Sequence, residues 1–195
     1  MAGKKPEKSG RLIVVSGASG TGKTTLCRYL IDDLGLAFSV SATTRAKRPG
    51  EVEGKDYYFL SPEEFSRRVE QGGFLEWAQV HQHRYGTPKQ PIMEHLQKGE
   101  SVLLDLDTQG ALQLKKIVPA AVLIFLKPPS LEALKERLRA RGTDSEEVIE
   151  RRFARASQEL AESGKYDYIV VNEDLEQAKK SLKTMIQGIL DSHPS

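Results

Sequence analysis

The sequence predicts an α/β domain, a central parallel β-sheet flanked by helices, on three observations. Short continuous apolar runs recur at residues 12–15, 102–106, 121–126 and 168–171, and apolarity without alternation suits strands buried on both faces of a parallel sheet. Each run is followed by a helix candidate, at 22–34, 108–117, 130–141 and 174–191, the alternation expected of layered α/β domains joined by right-handed crossovers. Between the first run and the first helix lies Gly17-Ala18-Ser19-Gly20-Thr21-Gly22-Lys23-Thr24, a phosphate-binding loop in the strand-to-helix context that such loops need.

Taken in order, residues 1–10 are polar and read as a disordered N-terminal tail. A fifth strand is expected at 37–40. Between 41 and 98 the rhythm changes. Residues 56–59, 74–80 and 84–86 look like short strands with aromatic alternation. One helix candidate there, at 62–71, opens on Ser61 with Glu64 three residues on, the pattern of a capping box. A second insertion, 137–160, is charged and helical, with Thr143 or Asp144 available to cap the helix through Glu146, Arg151 and Arg155. The last helix carries Leu175, Ala178, Leu182, Met185, Ile186 and Ile189 on a helical period and should cover one face of the sheet. The predicted domain is thus 11–190, with its core at 11–40, 99–136 and 161–190, a β-rich subdomain at 41–98 and a helical lid at 137–160.

A chain of 195 residues suits one domain of this size. Its net charge of +2 with 29% charged residues mixes acids and bases, so composition does not announce a nucleic-acid binder and local basic clusters must carry any anion recognition. Cys27 is the one cysteine, which excludes an intramolecular disulfide, and its place in the first helix suits a buried packing role. The N-terminal residues lack the apolar core of a secretory signal, and no apolar stretch approaches the roughly 20 residues that span a bilayer. A soluble cytoplasmic protein, monomer or homodimer, acting on small molecules is the expectation, without a nucleic-acid or membrane partner.

In the loop, glycines let backbone amides converge on phosphates, Lys23 adds a point charge, and the Thr24 hydroxyl can hold magnesium. The orphan amides and dipole of the helix that follows also favour negative charge. A second basic segment contains Arg45 and Arg48, followed by Tyr57. Guanidinium forks pair bidentately with phosphate oxygens, so two such residues can clamp one phosphate. Solvated loop charges are the alternative. A loop plus a separate clamp implies two phosphorylated ligands. Asp105 and Asp107 end an apolar strand, where acidic groups of phosphate-loop enzymes reach magnesium, its waters or the substrate. A cap on the helix from 108 is the structural alternative for Asp107. Arg137 and Arg141 lie four apart on one helix face, and Arg139 points elsewhere. His81 and His83 have no partner at metal-ligand spacing and read as hairpin surface residues.

The segment Ser39-Val40-Ser41-Ala42-Thr43-Thr44-Arg45, continuing through Arg48, Gly50, Glu51, Gly54 and Asp56-Tyr57, resembles the signature of guanylate kinases. Phe74-Leu75-Glu76-Trp77-Ala78, Tyr85-Gly86-Thr87, Leu104-Asp105-Leu106-Asp107 with Gln109-Gly110, Phe125-Leu126-Lys127-Pro128-Pro129 and Tyr166-Asp167-Tyr168 through Asn172 follow in that family's order. The resemblance runs from about 11 to 190 and implies a phosphate-loop NTPase core with a GMP-binding subdomain and a lid. It also implies magnesium-dependent phosphoryl transfer from ATP to GMP, and to dGMP, giving ADP and GDP.

On this resemblance ATP is bound by Gly17, Ala18, Ser19, Gly20, Thr21, Gly22, Lys23, Thr24 and Thr25, with Asn172 near the adenosine. The GMP phosphate falls to Arg45, Arg48, Tyr57 and Tyr85. Guanine falls to Ser41, Glu76 and Thr87, with Asp107 on the same side. Asp105 orients the arginines or holds magnesium through water, beside Thr24. Lys23, Arg45, Arg137, Arg141 and Arg152 stabilise the transferring group. Arg139, Arg151 and Arg155 read as a solvated face. A carboxylate at 76 can accept from the guanine ring N–H and amine together, a pattern adenine does not offer. Arg84 and Pro88 depart from the family pattern at the rim of this pocket. A non-catalytic interaction module of the same fold, or a kinase of another phosphorylated acceptor, are the competing readings. The intact Gly22-Lys23-Thr24 argues against the first, and Glu76 with Ser41 and Thr87 against the second.

Overall fold

The first apolar run becomes β1 (Leu12–Gly17), and its side chains divide between two faces as strand geometry requires. Ile13 and Val15 pack into one core cluster and Leu12 and Val14 into another. After β1 come α1 (Lys23–Leu34), β2 (Ala37–Phe38), β3 (Ala42–Thr43), β4 (Tyr58–Phe59), α2 (Pro62–Glu70), β5 (Phe74–Val80), β6 (His83–Pro88) and α3 (Lys89–Gln97). The chain continues through β7 (Val102–Asp105), α4 (Thr108–Ile117), β8 (Val122–Lys127), α5 (Leu131–Arg139), α6 (Glu146–Ala161), a 3-10 turn (Glu162–Lys165), β9 (Tyr168–Val171) and α7 (Leu175–Asp191). This computed structural model describes residues 10–18, 20–80, 82–140 and 145–192.

The core sheet has the order β2-β7-β1-β8-β9, and every pairing is parallel. Parallel neighbours need long crossovers, which the intervening helices supply. One face packs on α1 and α7 through Leu26, Leu30, Leu182 and Ile186, the other on α3 and α4 through Ile92, Ala111 and Leu114. The central strands are therefore apolar along residues 12–15, 102–104 and 122–126, and turn polar only at the ends that approach the phosphate loop. The same run in β9 has another cause. β9 is an edge strand, and only Val170 is buried, while Tyr168, Ile169 and Val171 stay more than two-fifths exposed. Double burial was the expectation for it, and the structure corrects that, because α7 covers just one of its faces.

The insertion forms a separate four-stranded sheet of order β4-β3-β6-β5, in which β6 runs antiparallel to both β3 and β5. Its small core stacks Phe65 on Phe74, with ring centroids 4.6 Å apart. Ser61 caps α2 by accepting from the Glu64 amide at 3.1 Å, as the capping pattern predicts. Helix α3 was not anticipated within 41–98. Pro91 disguises it, yet a proline in the first turn removes no intrahelical hydrogen bond. α3 buries Ile92 against the core sheet and so ties the insertion's end to the core.

Other boundaries shift by a few residues. β2 ends at Phe38 rather than at 40, and α5 runs Leu131–Arg139 with Ser130 as its cap. Thr143 and Asp144 lie outside the described residues, and the N-cap position of α6 is held by Ser145. Leu134 and Leu138 of α5 pack with Ile149 and Ala156 of α6 against Ala18 of the phosphate loop, which seats these two helices on the loop. Cys27 is buried, as expected, and burial pushes its thiol well above its ordinary range. Among the described residues no helix is long and apolar enough to cross a membrane.

Candidate active site

The phosphate loop curls between β1 and α1, and two glycines are dictated by space and backbone angle. A Cβ at Gly17 would stand 2.4 Å from the Leu126 carbonyl oxygen. Gly22, at φ 81, is the left-handed N-cap of α1. The Thr21 hydroxyl ties the turn by donating to the Ala18 carbonyl at 2.7 Å. Lys23 Nζ lies 3.4 Å from the Gly17 carbonyl and 3.7 Å from Asp105 Oδ1. Thr24 donates to Asp105 Oδ2 at 2.9 Å. Register explains that meeting, since β7 lies beside β1 with Asp105 opposite Val15, at the end of the strand that feeds the loop. Thr25 is exposed on the first turn of α1. Ser19 and Arg141, both expected site residues, lie outside the described residues, as does His81.

The residues expected on the acceptor side lie in and beside the inserted sheet. Arg45 lies 5.4 Å over the Tyr57 ring, and Tyr57 meets Tyr85 edge-on with centroids 5.9 Å apart. The Arg45 fork is held bidentately by Glu51, at 2.7 and 3.0 Å, and Glu51 also accepts from the Arg48 amide at 2.8 Å. These bonds hold the Glu51 carboxyl below its ordinary range and Arg45 above its own. Glu51 therefore positions Arg45, a role that its place within the Arg45–Tyr57 segment does not announce. The Arg48 side chain itself is exposed. Burial pushes the Tyr57 phenol up, and Asp105 on the core sheet is close enough to add to that effect.

Deeper in the same sheet, Glu76 of β5 is opposite Thr87 of β6 and only 6% exposed. The Thr87 hydroxyl donates to Glu76 Oε1 at 2.5 Å. Burial raises the carboxyl to about 7, against the pull of that hydrogen bond, and Asp107 adds repulsion. Ser41 precedes β3 and accepts through its carbonyl from the Tyr58 amide at 2.9 Å. Arg84, a departure from the family pattern, does not enter the pocket. Its guanidinium lies 4.8 Å over Phe65 and bonds Ser66 Oγ at 2.9 Å, clamping α2 onto β6. Pro88, the last residue of β6 and the N-cap of α3, is buried.

Asp107 caps α4, accepting from the Gly110 amide at 2.8 Å through Oδ1, and its Oδ2 stands 3.5 Å from Arg155. Arg155 in turn donates to the buried Glu159 at 3.1 Å. Arg151, Arg152 and Arg155 of α6 line a cleft of about 560 Å³ together with Gly17, Lys23 and Asp107. Arg151 is exposed, as the solvated-face reading has it, whereas Arg155 departs from that reading, since its guanidinium reaches Asp107 and Glu159. Their helix lies across the cleft, so one face meets the site. Arg139 is exposed and pairs with Glu146. Arg137 donates to the carbonyls of Asn172 and Glu173, at 2.9 and 3.0 Å, and Asn172 donates to the Thr21 carbonyl at 2.7 Å. This chain of bonds stitches α5 and the end of β9 to the phosphate loop.

A phosphate loop at a cleft lined by the arginines of α6, beside a second sheet that carries Arg45, Tyr57, Tyr85 and the buried carboxylate of Glu76, is the set of parts of a phosphate-loop kinase with a phosphorylated acceptor. The family model described as guanylate kinase matches residues 9–189. The chain belongs to the guanylate kinase family. A guanylate kinase of Gloeobacter violaceus is 50% identical over 186 residues, covering 95% of this chain and 91% of that one. Another, of Caldanaerobacter subterraneus subsp. tengcongensis, is 49% identical over 181 residues, covering 92% and 88%. The crystal structure of guanylate kinase from Anaplasma phagocytophilum superposes with a TM-score of 0.79 at 34% identity, covering 95% of this chain and 89% of that chain.

Proposed function

We propose that the chain transfers the terminal phosphoryl group of ATP to GMP, giving ADP and GDP, with the work divided between the two sides of the cleft. The observation that carries the choice of guanine is Glu76, a buried carboxylate on the acceptor side whose Oε1 is held by Thr87. Ionised, it accepts from the guanine N1–H and the exocyclic amine. An adenine at that place would meet it with an unpaired acceptor, and unpaired buried groups are what discriminate strongly. Ser41 completes the base site. The smaller deoxyribose of dGMP leaves these base contacts unchanged, so dGMP is accepted too.

Lys23 and the loop amides of residues 17–25 hold the ATP phosphates, with Asn172 toward the adenosine. Arg45, Arg48, Tyr57 and Tyr85 aim the acceptor phosphate, the tyrosines adding hydrogen bonds without further charge. A GMP phosphate oxygen forms the new bond to the transferred phosphorus as the bond to the bridging oxygen of ATP breaks. That oxygen is already anionic, so no side chain takes a proton and none forms a covalent intermediate. Positioning and charge stabilisation carry the rate. Arg152, with Arg137 and Arg141 of the lid, neutralises charge on the transferring group. Thr24 and Asp105 offer the hard oxygen donors that suit magnesium, directly or through water. Magnesium bound there neutralises charge on the donor phosphates. The reaction is proposed to take place in the cytoplasm, by a monomer or homodimer.

The test is a coupled assay with magnesium and ATP against GMP, dGMP, AMP, UMP and CMP. Turnover confined to GMP and dGMP is expected. Comparable turnover of AMP would overturn the base assignment, and no turnover of any acceptor would overturn the kinase reading.

A further inference from the structure

The Glu76 carboxylate lies where it does because residue 110 has no side chain. Gly110 is the third residue of α4 and is buried. A Cβ at this position would stand 2.7 Å from Glu76 Oε2, 3.2 Å from the Glu76 carboxyl carbon and 3.3 Å from Asp107 Oδ1. The contact at 2.7 Å is shorter than any two such atoms tolerate, so a side chain at 110 forces a movement. Glu76 has little freedom to give, since it is 6% exposed and its Oε1 is tied to Thr87 at 2.5 Å. Asp107 is tied as well, by the Gly110 amide at 2.8 Å.

Backbone angle does not demand a glycine there, because Gly110 is not among the glycines at positive φ. Inside a helix, glycine is less stable than alanine. What it does provide is a space on the far side of the carboxylate from Thr87. Thr87 holds one oxygen, and the bare Cα of Gly110 lets the other lie against the first turn of α4.

We infer that Gly110 is a positioning residue for guanine selection, setting the place of the Glu76 carboxylate by leaving room for Oε2. It acts through Glu76 and does not touch the nucleotide. The inference rests on Glu76 being the group that reads guanine. It makes α4, a core helix, part of the base-recognition apparatus of the inserted sheet, which explains why the two are packed together at this point.

The experiment uses the full chain and four variants: Gly110→Ala, Glu76→Ala, the double variant, and Gly188→Ala, a control in α7 with nothing within 4 Å of its added Cβ. For each, KM and kcat are measured for GMP at saturating ATP, and for ATP at saturating GMP. Gly110→Ala is expected to raise KM for GMP by about 10-fold or more while KM for ATP stays within about 2-fold. Gly188→Ala should change neither. In the Glu76→Ala background, adding Gly110→Ala should cost nothing further, since the crowded group is gone. Gly110→Ala behaving like Gly188→Ala would overturn the inference, as would a loss that persists in full without Glu76, or one shared equally by ATP. If Glu76→Ala leaves KM for GMP unchanged, the guanine assignment itself falls, and the inference with it. Should Gly110→Ala alone not fold, the double variant is expected to fold with the kinetics of Glu76→Ala, and its failure to fold would sink the idea.

Discussion

The two regions proposed to bind the phosphorylated substrates are made of different material. The phosphate loop is a contiguous stretch, Gly17 to Thr24, in which Gly17 and Gly22 are placed by space and backbone angle and the side chains proposed to act are Lys23 and Thr24. The acceptor clamp is side chain, carried on β6 and on the connection between β3 and β4, and it is held ready by a further residue, Glu51. A backbone cradle grips any polyphosphate, whereas a side-chain clamp is specific and depends on its supports. The contrast teaches that substitutions on the two sides should separate transfer from acceptor binding.

The largest separation is expected from Lys23→Ala. It should lower kcat by about 10³-fold, since a fixed charge on the transferring group is lost, while calorimetry on the folded variant finds GMP affinity within about 2-fold of the parent. Equal loss of both would break the division. Arg45→Ala is the complementary change. Loss of a charge-assisted bidentate contact should raise KM for GMP by about 100-fold and leave KM for ATP unmoved. A matching rise for ATP would show that the clamp is not confined to the acceptor.

A smaller effect sharpens the comparison through pH. Burial lifts Glu76 to about 7 from the 4.5 of an ordinary carboxyl. Because the folded value is the higher one, the neutral carboxyl favours the fold, and this contribution is present in full below pH 4.5. It is lost as pH rises through 7. Glu76→Gln removes the ionisation, so thermal melts of the nucleotide-free protein should show the variant gaining on the parent at pH 8 relative to pH 5, by at most about 3 kcal/mol. A difference that does not change with pH would contradict it. The smallest effect belongs to Arg155→Ala. Its side chain is 40% exposed and its pair with Asp107 is 3.5 Å long, so a change of no more than about 5-fold in KM for GMP is expected from steady-state kinetics.

Different features made different parts legible. The phosphate loop, the central strands β1, β7 and β8 and the capped helix α2 could be read from neighbouring residues, because glycine conformation, apolar runs and caps are local physics. β9 could not be distinguished from the central strands, since its run of apolar residues looks the same whether a helix covers one face or two. Helix α3 was hidden by Pro91, whose effect depends on which helical position it takes. Arg155 was read as a solvent-facing charge, for a charged helix does not announce which face a cleft will meet. Glu51 was visible as a letter, but its role emerges only when the turn from Arg45 to Glu51 brings carboxylate and guanidinium together.

By itself, the sequence determined the α/β class, the phosphate loop and the family, because each rests on contiguous residues or on their order along the chain. Only the tertiary structure decided that Arg45 is held by Glu51, that Arg155 reaches Asp107, and that Glu76 lies against the bare Cα of Gly110. Each of those is a contact across a turn or between separate elements. Its existence depends on distances of a few tenths of an ångström that packing sets and that no spacing in the chain encodes.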